Sequence, residues 1–137
     1  MDVRERVIGR LIECGVRPTA QRVDIALQVL VRPCHFSAEQ LLANLRRTGA
    51  GVSKATVYNT LKLFSERGLL RAIAVDPQRL MYDSTTRPHH HFYNTESGEL
   101  TDINPADVRL AKLPLLPRAT EAQGVEILIR VRPRHGG

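Results

Sequence analysis

Cysteine, aromatic residues and long apolar runs are all scarce in this sequence. The chain has two cysteines, Cys14 and Cys34, and they do not form a Cys-x-x-Cys pair. A structural zinc site built on cysteines is therefore excluded by count, and a cytosolic chain would keep both thiols reduced. Aromatic residues make up 4% of the chain and tryptophan is absent, so the core must rest on leucine, valine, isoleucine and alanine.

Features of membrane, secreted and enzymatic chains are also missing. No run of about 18 apolar residues is present to span a bilayer. The N-terminal stretch MDVRERVIGRLIECG places charges throughout its apolar residues, unlike a secretory signal. We therefore expect a cytoplasmic protein with no membrane partner. The sequence has no glycine-rich phosphate loop and no nucleophile–base pair, so we do not expect an enzyme.

Acidic residues are outnumbered by basic ones, 14 against 20, which gives a net charge of +6 at pH 7 and a pI near 10.0. A positive balance favours polyanions such as nucleic acid. The chain is 42% hydrophobic and 25% charged, as globular proteins are. Its 137 residues suit one medium domain or two small ones, and chains of this size often gain stability by dimerising.

Periodic apolar residues predict four helices in the first half of the chain, at 3–14, 20–30, 37–48 and 54–67. Thr19 is a plausible N-cap of the second helix. Ser37 and Gln40 have the spacing of a capping box at the start of the third. Ser53 can cap the fourth helix, and Gly68 suits the left-handed residue that ends it.

The fourth predicted helix is amphipathic. Val57, Leu61 and Phe64 fall on one face with Thr60 beside them, and the opposite face is polar at its N-terminal end. Such a helix after a short helix and a turn is typical of a helix-turn-helix recognition unit. The alternative is a structural helix pair with a solvated charged face.

Two β-prone runs, 69–75 and 79–82, flank the turn Asp76-Pro77-Gln78 and predict a hairpin. A hairpin directly after a recognition helix makes a winged helix. Side chains on this surface can contact phosphates and base edges. The predicted DNA-contacting residues are Arg22, Ser53, Lys54, Thr56, Tyr58, Asn59, Lys62, Arg71 and Arg79.

Three of the five histidines stand together in PHHHFYN, residues 88–94. In a strand, alternation places His89 and His91 on one side and His90 on the other. A turn at 96–99 and a strand at 100–103 would bring Asp102 towards the pair. Two imidazoles and carboxylates suit Fe²⁺, Mn²⁺ or Zn²⁺. His90 remains a candidate ligand for a second metal ion or haem, and the alternative for the whole run is a solvated loop.

Two further candidate ligands lie in the DNA-reading half. Asp83 ends the second wing strand, and His35 precedes the Ser37 cap. A ligand at His35 would tie the DNA-reading half to the ion. Spacing alone favours a solvated loop histidine at this position.

The second half predicts a helix over 105–113, begun by Pro105 and ended by Pro114. The apolar run 125–132 predicts a largely buried strand. We therefore predict an α+β fold with a winged helix-turn-helix DNA-binding domain at 1–83. A small α/β dimerisation and metal-sensing domain is expected at 84–137.

Four stretches carry a family resemblance: RPTAQR (17–22), HFSAEQLL (35–42), VSKATVYNTLKLFSERGLL (52–70) and MYDSTTRPHHHFYNTESGELTDI (81–103). With them the chain resembles the ferric uptake regulator family of metal-responsive repressors. The resemblance implies a dimer that binds A/T-rich palindromic double-stranded DNA, with a regulatory ion between its two domains. The family's base-contacting tyrosine falls on Tyr58. The implied metal ligands are His35, Asp83, His89, His91 and Asp102.

The chain departs from the family pattern at 94–97, where Asn-Thr-Glu-Ser replaces the usual Cys-x-x-Cys of the structural zinc. Apolar strands such as 125–131 would then hold the dimer. The stretch 89–103 and the basic C-terminus resemble the iron response regulator branch, which senses haem, but the Cys-Pro haem motif of that branch is absent.

Asp102 resembles the last ligand of the family's peroxide sensors, in which bound Fe²⁺ and peroxide oxidise a ligand histidine, here His35 or His89. Cys34 is an alternative redox switch. We therefore predict a dimeric transcriptional regulator that responds to Fe²⁺ or Mn²⁺, with Zn²⁺ binding in vitro, and that represses iron-homeostasis or peroxide-stress genes. The alternatives are a haem-responsive regulator, a small His/Asp metalloenzyme, and a DNA-binding protein that needs no metal.

Overall fold

The computed structural model describes residues 2–135. The chain divides into two compact units, Met1–Thr86 and Arg87–Gly137. This division falls three residues beyond the predicted domain boundary at 83/84. No helix within the described range is long and apolar enough to cross a bilayer.

Four helices form the larger part of the first unit, and all four were predicted. They are α1 (Val3–Glu13), α2 (Ala20–Val29), α3 (Ala38–Arg47) and α4 (Lys54–Glu66). Each is capped by a side chain that accepts a backbone N–H three residues on; the four caps are Asp2, Thr19, Ser37 and Ser53. These caps satisfy donors that a helix leaves unpaired at its start, so the helix boundaries follow from local sequence.

The predicted capping box of α3 is complete. The Ser37 hydroxyl accepts the Gln40 N–H at 3.1 Å, and the Gln40 side chain accepts the Ser37 N–H at 2.9 Å. This reciprocal pair fixes where α3 begins. The segment just before it, which contains His35, is thereby positioned against the helix start.

A three-stranded antiparallel sheet completes the first unit, with β1 (His35–Phe36), β2 (Arg71–Asp76) and β3 (Arg79–Asp83) in the order β1-β3-β2. Strands β2 and β3 are the predicted wing hairpin. Strand β1 was not predicted, because two residues are too short for an alternating pattern to show. It pairs His35 with Asp83 and Phe36 with Tyr82.

The core of the first unit fixes the orientation of α4. Val57, Leu61 and Phe64 are fully buried and Thr60 is nearly so, as their spacing predicted. Val57, Leu61 and Phe64 belong to one apolar cluster with residues from α1, α2 and α3. Because this face is held in the core, the opposite face of α4 is turned to solvent.

The second unit is a three-stranded sheet of β4 (His90–Asn94), β5 (Leu100–Ile103) and β6 (Leu128–Val131). Their order is β5-β4-β6, with β4 antiparallel to β5 and parallel to β6. The buried side chains of this unit are few. They are His91, Tyr93, Leu100 and Ile103.

Two predictions for the second unit were wrong in extent. The expected helix over 105–113 is a single 3₁₀ turn, Pro105–Asp107, followed by irregular chain. The expected buried strand over 125–132 is the shorter β6, and its Ile129 and Val131 are exposed. Residues 109–126 are exposed, whereas tertiary packing supplies most of the stability of a short helix.

Hydrogen bonds hold the turn between β4 and β5, where the family pattern has its zinc cysteines. The Asn94 side-chain oxygen accepts the N–H groups of Glu96 at 2.9 Å and Ser97 at 3.0 Å. The Asn94 backbone carbonyl accepts the N–H of Gly98, whose φ of 76° suits glycine. An asparagine-centred turn therefore occupies this position.

Candidate metal centre and nucleic-acid interface

His35 and Asp83 meet in the first unit across the β1–β3 pair. Their Cα atoms are register partners, and His35 Nε2 lies 3.1 Å from Asp83 Oδ2. Asp83 is 1% exposed, and its second oxygen accepts the Thr85 N–H at 2.8 Å. A buried carboxylate is tolerated when its oxygens are paired in this way. The pair is thus a preformed nitrogen and oxygen donor set.

Ser84 holds β1 against the end of β3, a role that the sequence did not reveal. Its hydroxyl accepts the Cys34 N–H at 2.9 Å and donates to the Arg32 carbonyl at 3.3 Å. Its backbone N–H donates to the Cys34 carbonyl. These bonds link residues about 50 positions apart, so no local pattern could have indicated them. They fix the backbone next to both His35 and Asp83.

His89, His91 and Asp102 converge in the second unit. His91 and Asp102 are register partners on β4 and β5. The Nε2 atoms of His89 and His91 lie 3.0 Å and 3.3 Å from the same Asp102 oxygen, Oδ1. The two ring centroids are 4.2 Å apart. The strand alternation and the approach of Asp102, both predicted, are confirmed.

The tautomer of His89 is set by its other ring nitrogen. Nδ1 lies 2.8 Å from the Arg87 carbonyl, which can only accept, so Nδ1 carries the proton. Nε2 faces Asp102 Oδ1 at 3.0 Å, and it offers its lone pair to a metal ion whenever it carries no proton. Metal-binding histidines are commonly oriented by a carbonyl in this way, so His89 is arranged as an Nε2 ligand.

His90 is engaged differently from its neighbours. Its Nδ1 accepts the Ile127 backbone N–H at 2.9 Å, just before β6 begins. In the neutral ring the proton is therefore on Nε2, which leaves no lone pair for a metal ion or haem iron while this bond persists. The geometry does not support the predicted role of His90 as a second metal or haem ligand. The side chain instead joins β6 to the sheet.

Cys34 is half-buried, and its thiol donates to the Val29 carbonyl at 3.4 Å. Burial raises the pKa of the Cys34 thiol above its ordinary value, and the neighbouring Ser84 side chain partly opposes this rise. The thiolate is the reactive form of cysteine. A thiol held protonated in this way is a poor redox switch at neutral pH.

The exposed face of α4 carries the predicted DNA-contacting residues. Lys54, Tyr58, Asn59 and Lys62 are all exposed. At the helix start, the Ser53 hydroxyl donates to Thr56 Oγ1 at 2.9 Å and accepts the Thr56 N–H at 3.2 Å. Ser53 and Thr56 are therefore hydrogen-bonded to each other at the start of α4. The positive N-terminal end of the helix and the two lysines form a surface suited to phosphates.

The three predicted arginines occupy different places. Arg22 donates to the Arg17 carbonyl at 3.1 Å and lines a groove together with Thr56 and Asn59 of α4. Arg71 on β2 donates to the Thr86 carbonyl at 3.1 Å. Arg79 is exposed at the start of β3. Arg22 is thus the arginine that these contacts bring beside the recognition helix.

A winged helix with a polar recognition helix, accompanied by paired His/Asp donors, defines a class of DNA-binding, metal-responsive transcription regulators. Residues 13–126 match the model of the ferric uptake regulator family. The chain belongs to that family. Its members are dimeric DNA-binding regulators and not enzymes, so the metalloenzyme alternative is wrong.

Individual relatives agree with this assignment. The peroxide-responsive repressor PerR of Staphylococcus aureus (strain NCTC 8325 / PS 47) is 28% identical over 99 residues, which cover 72% of this chain and 67% of that protein. The ferric uptake regulator of Pseudomonas aeruginosa, solved with manganese, superposes with a TM-score of 0.70 and 26% identity over 97% of this chain and 99% of that one.

The fold is shared with a third protein. The ferric uptake regulator of Vibrio cholerae gives a TM-score of 0.71 at 22% identity and covers 92% of this chain and 98% of its own. Structures of this family bind manganese, iron or zinc. The His and Asp side chains described above are a possible site for such an ion in this chain.

Proposed function

We propose that the protein is a homodimeric repressor whose affinity for A/T-rich palindromic DNA increases when it binds Fe²⁺ or Mn²⁺. The main support for metal binding is that the Nε2 atoms of His89 and His91 lie 3.0 Å and 3.3 Å from the same Asp102 oxygen. Two nitrogens and a carboxylate oxygen aimed at one point are the donors that borderline divalent ions prefer. We place its action in the cytoplasm, where such a regulator meets DNA.

The proposed ion is held by five side chains: His35, Asp83, His89, His91 and Asp102. His35 and Asp83 supply two donors from the first unit, and the other three come from the second. Each set alone offers too few ligands for a closed site, whereas five oxygen and nitrogen donors suit Fe²⁺ or Mn²⁺. The ion would supply positive charge shared by both sets. A ligand of this kind favours whichever arrangement of the two units lets all five residues bind.

The DNA part of the proposal rests on α4. Its buried face fixes the helix, and its exposed face presents two lysines, a tyrosine and an asparagine. Lysines contact phosphates and supply affinity, whereas asparagine can read an adenine edge and tyrosine can contact a thymine methyl. Arg22 would extend the same surface from the groove beside Asn59. Arg71 and Arg79 would contact the backbone from the wing.

Homodimerisation is proposed through the second unit. Its small core leaves large apolar side chains exposed, which include Leu110, Leu113, Leu115, Leu116, Ile129 and Val131. Apolar surface in this amount is typical of a protein–protein interface. A dimer would also place two copies of α4 on the two halves of a palindrome.

Anisotropy titrations of labelled duplexes test the DNA part. With saturating Mn²⁺, we expect the protein to prefer an A/T-rich palindrome to a scrambled duplex of the same composition by at least about 10³-fold. Replacing Lys54 and Asn59 with alanine should lower palindrome affinity by about 10- to 100-fold, because a phosphate contact and a base contact are lost. Lys112→Ala, which removes one exposed charge from the second unit, is the control. Equal affinity for both duplexes in the wild type would contradict the proposal.

Peroxide sensing is a second candidate signal, favoured by Asp102 as the shared carboxylate and by the likeness to PerR. It predicts that Fe²⁺-loaded protein gains one oxygen atom on His35 or His89 when treated with peroxide. Peptide mass spectrometry would detect it, with Mn²⁺-loaded protein as the control. Unmodified histidine peptides after loss of DNA binding would rule this signal out.

A further inference from the structure

Tyr58, on the exposed face of α4, is hydrogen-bonded to a carboxylate of a different helix. Its hydroxyl donates to Glu39 Oε1 at 2.6 Å. Glu39 lies in the first turn of α3, where the positive end of the helix favours a carboxylate. The distance is within the range of a charge-assisted O–H···O⁻ bond. Both residues are exposed, so the pair stands on the surface that α4 would present to DNA.

At neutral pH both partners are in the protonation states that this bond requires. The hydrogen bond to Glu39 is the main cause that raises the pKa of Tyr58. The same bond is the main cause that lowers the pKa of Glu39. The tyrosine therefore stays protonated and the carboxylate stays ionised. Lys54 Nζ lies over the Tyr58 ring, 5.8 Å from its centroid, a distance compatible with a cation–π contact.

This arrangement limits what Tyr58 can do. Its hydroxyl proton is committed to Glu39, so it is not available to a phosphate oxygen. Glu39 bonds the hydroxyl and Lys54 lies over the ring, which orients the ring and leaves the rest of its apolar surface for a base or a thymine methyl. The Glu39 carboxylate also adds negative charge to the surface. This charge repels the phosphates of any DNA, whatever its base sequence. Charge of this kind weakens binding to all DNA unless specific contacts compensate.

We propose that Glu39 is a positioning and specificity-determining residue, which orients the Tyr58 ring for base reading and lowers affinity for DNA that lacks the right bases. The proposal rests on the function proposed above, because it requires α4 to read DNA. It goes beyond that function in assigning a role to an acidic residue on a basic surface. Glu39 acts through Tyr58 and need not touch a base.

The test compares palindrome and scrambled-duplex affinities, at one salt concentration with Mn²⁺, for the wild type and single variants. Glu39→Ala should raise affinity for the scrambled duplex several-fold and reduce the palindrome preference by about tenfold, the order of one base contact. Glu39→Gln should raise scrambled-duplex affinity similarly but keep most of the preference, because the amide oxygen still accepts the tyrosine proton. Glu66→Ala, which removes an exposed carboxylate at the far end of α4, should leave the preference unchanged.

Tyr58→Phe completes the design. It should reduce the preference as Glu39→Ala does, and adding Glu39→Ala to it should reduce the preference little further, because the two residues act as one unit. Fully additive losses would overturn the positioning role. An unchanged preference in Glu39→Ala would overturn it as well.

A measurement without DNA separates this inference from the proposed function. Glu39 raises the pKa of Tyr58 by its hydrogen bond and also that of Tyr82 by its charge. In an ultraviolet titration, Glu39→Ala should therefore lower a phenol pKa in the wild-type background that it does not lower in the Tyr58→Phe background. If that titration is unchanged, the hydrogen bond is absent in solution and the inference fails even when the wild type prefers the palindrome. If the phenol pKa falls as expected but the wild type has no palindrome preference, the proposed function is wrong. The specificity role of Glu39 is then wrong as well.

Discussion

Replacing both His89 and His91 with alanine is expected to abolish the stabilisation that a divalent ion gives to the folded protein. An ion that binds only the folded state stabilises it by about 2.7 kcal/mol when its free concentration is 100 times the dissociation constant. The two histidines supply both imidazole nitrogens around Asp102 Oδ1, so the variant keeps only Asp102 in the second unit and His35 and Asp83 in the first. Those residues bind such ions far more weakly.

Thermal unfolding with and without Mn²⁺ measures this effect. The comparison is made within each protein, so any stability lost by removing the buried His91 ring cancels. His135→Ala is the matched control. His135 is also in the second unit, but its side chain is 76% exposed and lies 3.5 Å from Glu96 rather than near Asp102. An equal metal-induced shift in the double variant would place the metal site elsewhere.

Phe64→Ala is expected to lower the free energy of unfolding of the first unit by about 3–5 kcal/mol, the usual cost of removing a buried phenylalanine side chain. Phe64 is fully buried on α4 and belongs to the core cluster that includes α1, α2 and α3. The variant should therefore loosen the helix that presents the DNA-facing residues. A loss of this size is a large part of the stability of a small domain.

Denaturant unfolding followed by circular dichroism gives the magnitude. Phe92→Ala provides the same chemical change at a side chain that is 38% exposed, and it should cost well under half as much. Similar losses for both substitutions would show that α4 is not anchored by Phe64. Other side chains would then have to hold α4 in the core.

Local sequence predicted the first unit well because its elements are specified locally. Each helix starts at a capping side chain, and α4 has an apolar face whose spacing matches the burial of Val57, Leu61 and Phe64. The same holds for the His89, His91 and Asp102 cluster. Alternation along β4 and a short turn to β5 were enough to bring Asp102 beside the histidines.

The features that the sequence did not predict depend on distant partners. Strand β1 exists because Ser84 and Asp83 pair with it across about 50 residues. The Tyr58–Glu39 bond joins two residues that lie 19 positions apart on different helices. Conversely, Pro105 and the apolar residues after it indicated a helix by local rules. The chain there remains irregular with Leu110 and Leu113 exposed.

The position of the absent zinc cysteines has one feature that the sequence predicted and one that it did not. Sequence comparison with the family pattern showed that no thiolate is available at 94–97. It could not show what replaces them. The side chain of Asn94 accepts two backbone N–H groups and closes the turn, which is a common role for asparagine in tight turns.

Metal-dependent DNA binding is tested by palindrome affinity with and without Mn²⁺, under anaerobic conditions, for the wild type and the His89→Ala, His91→Ala variant. We expect the metal to tighten wild-type binding by about 5- to 150-fold, the usual range of coupling between two sites, and to leave binding by the variant unchanged. If wild type and variant bind the palindrome equally well with and without metal, DNA binding does not depend on this site. The protein would then be a DNA-binding regulator that needs no metal.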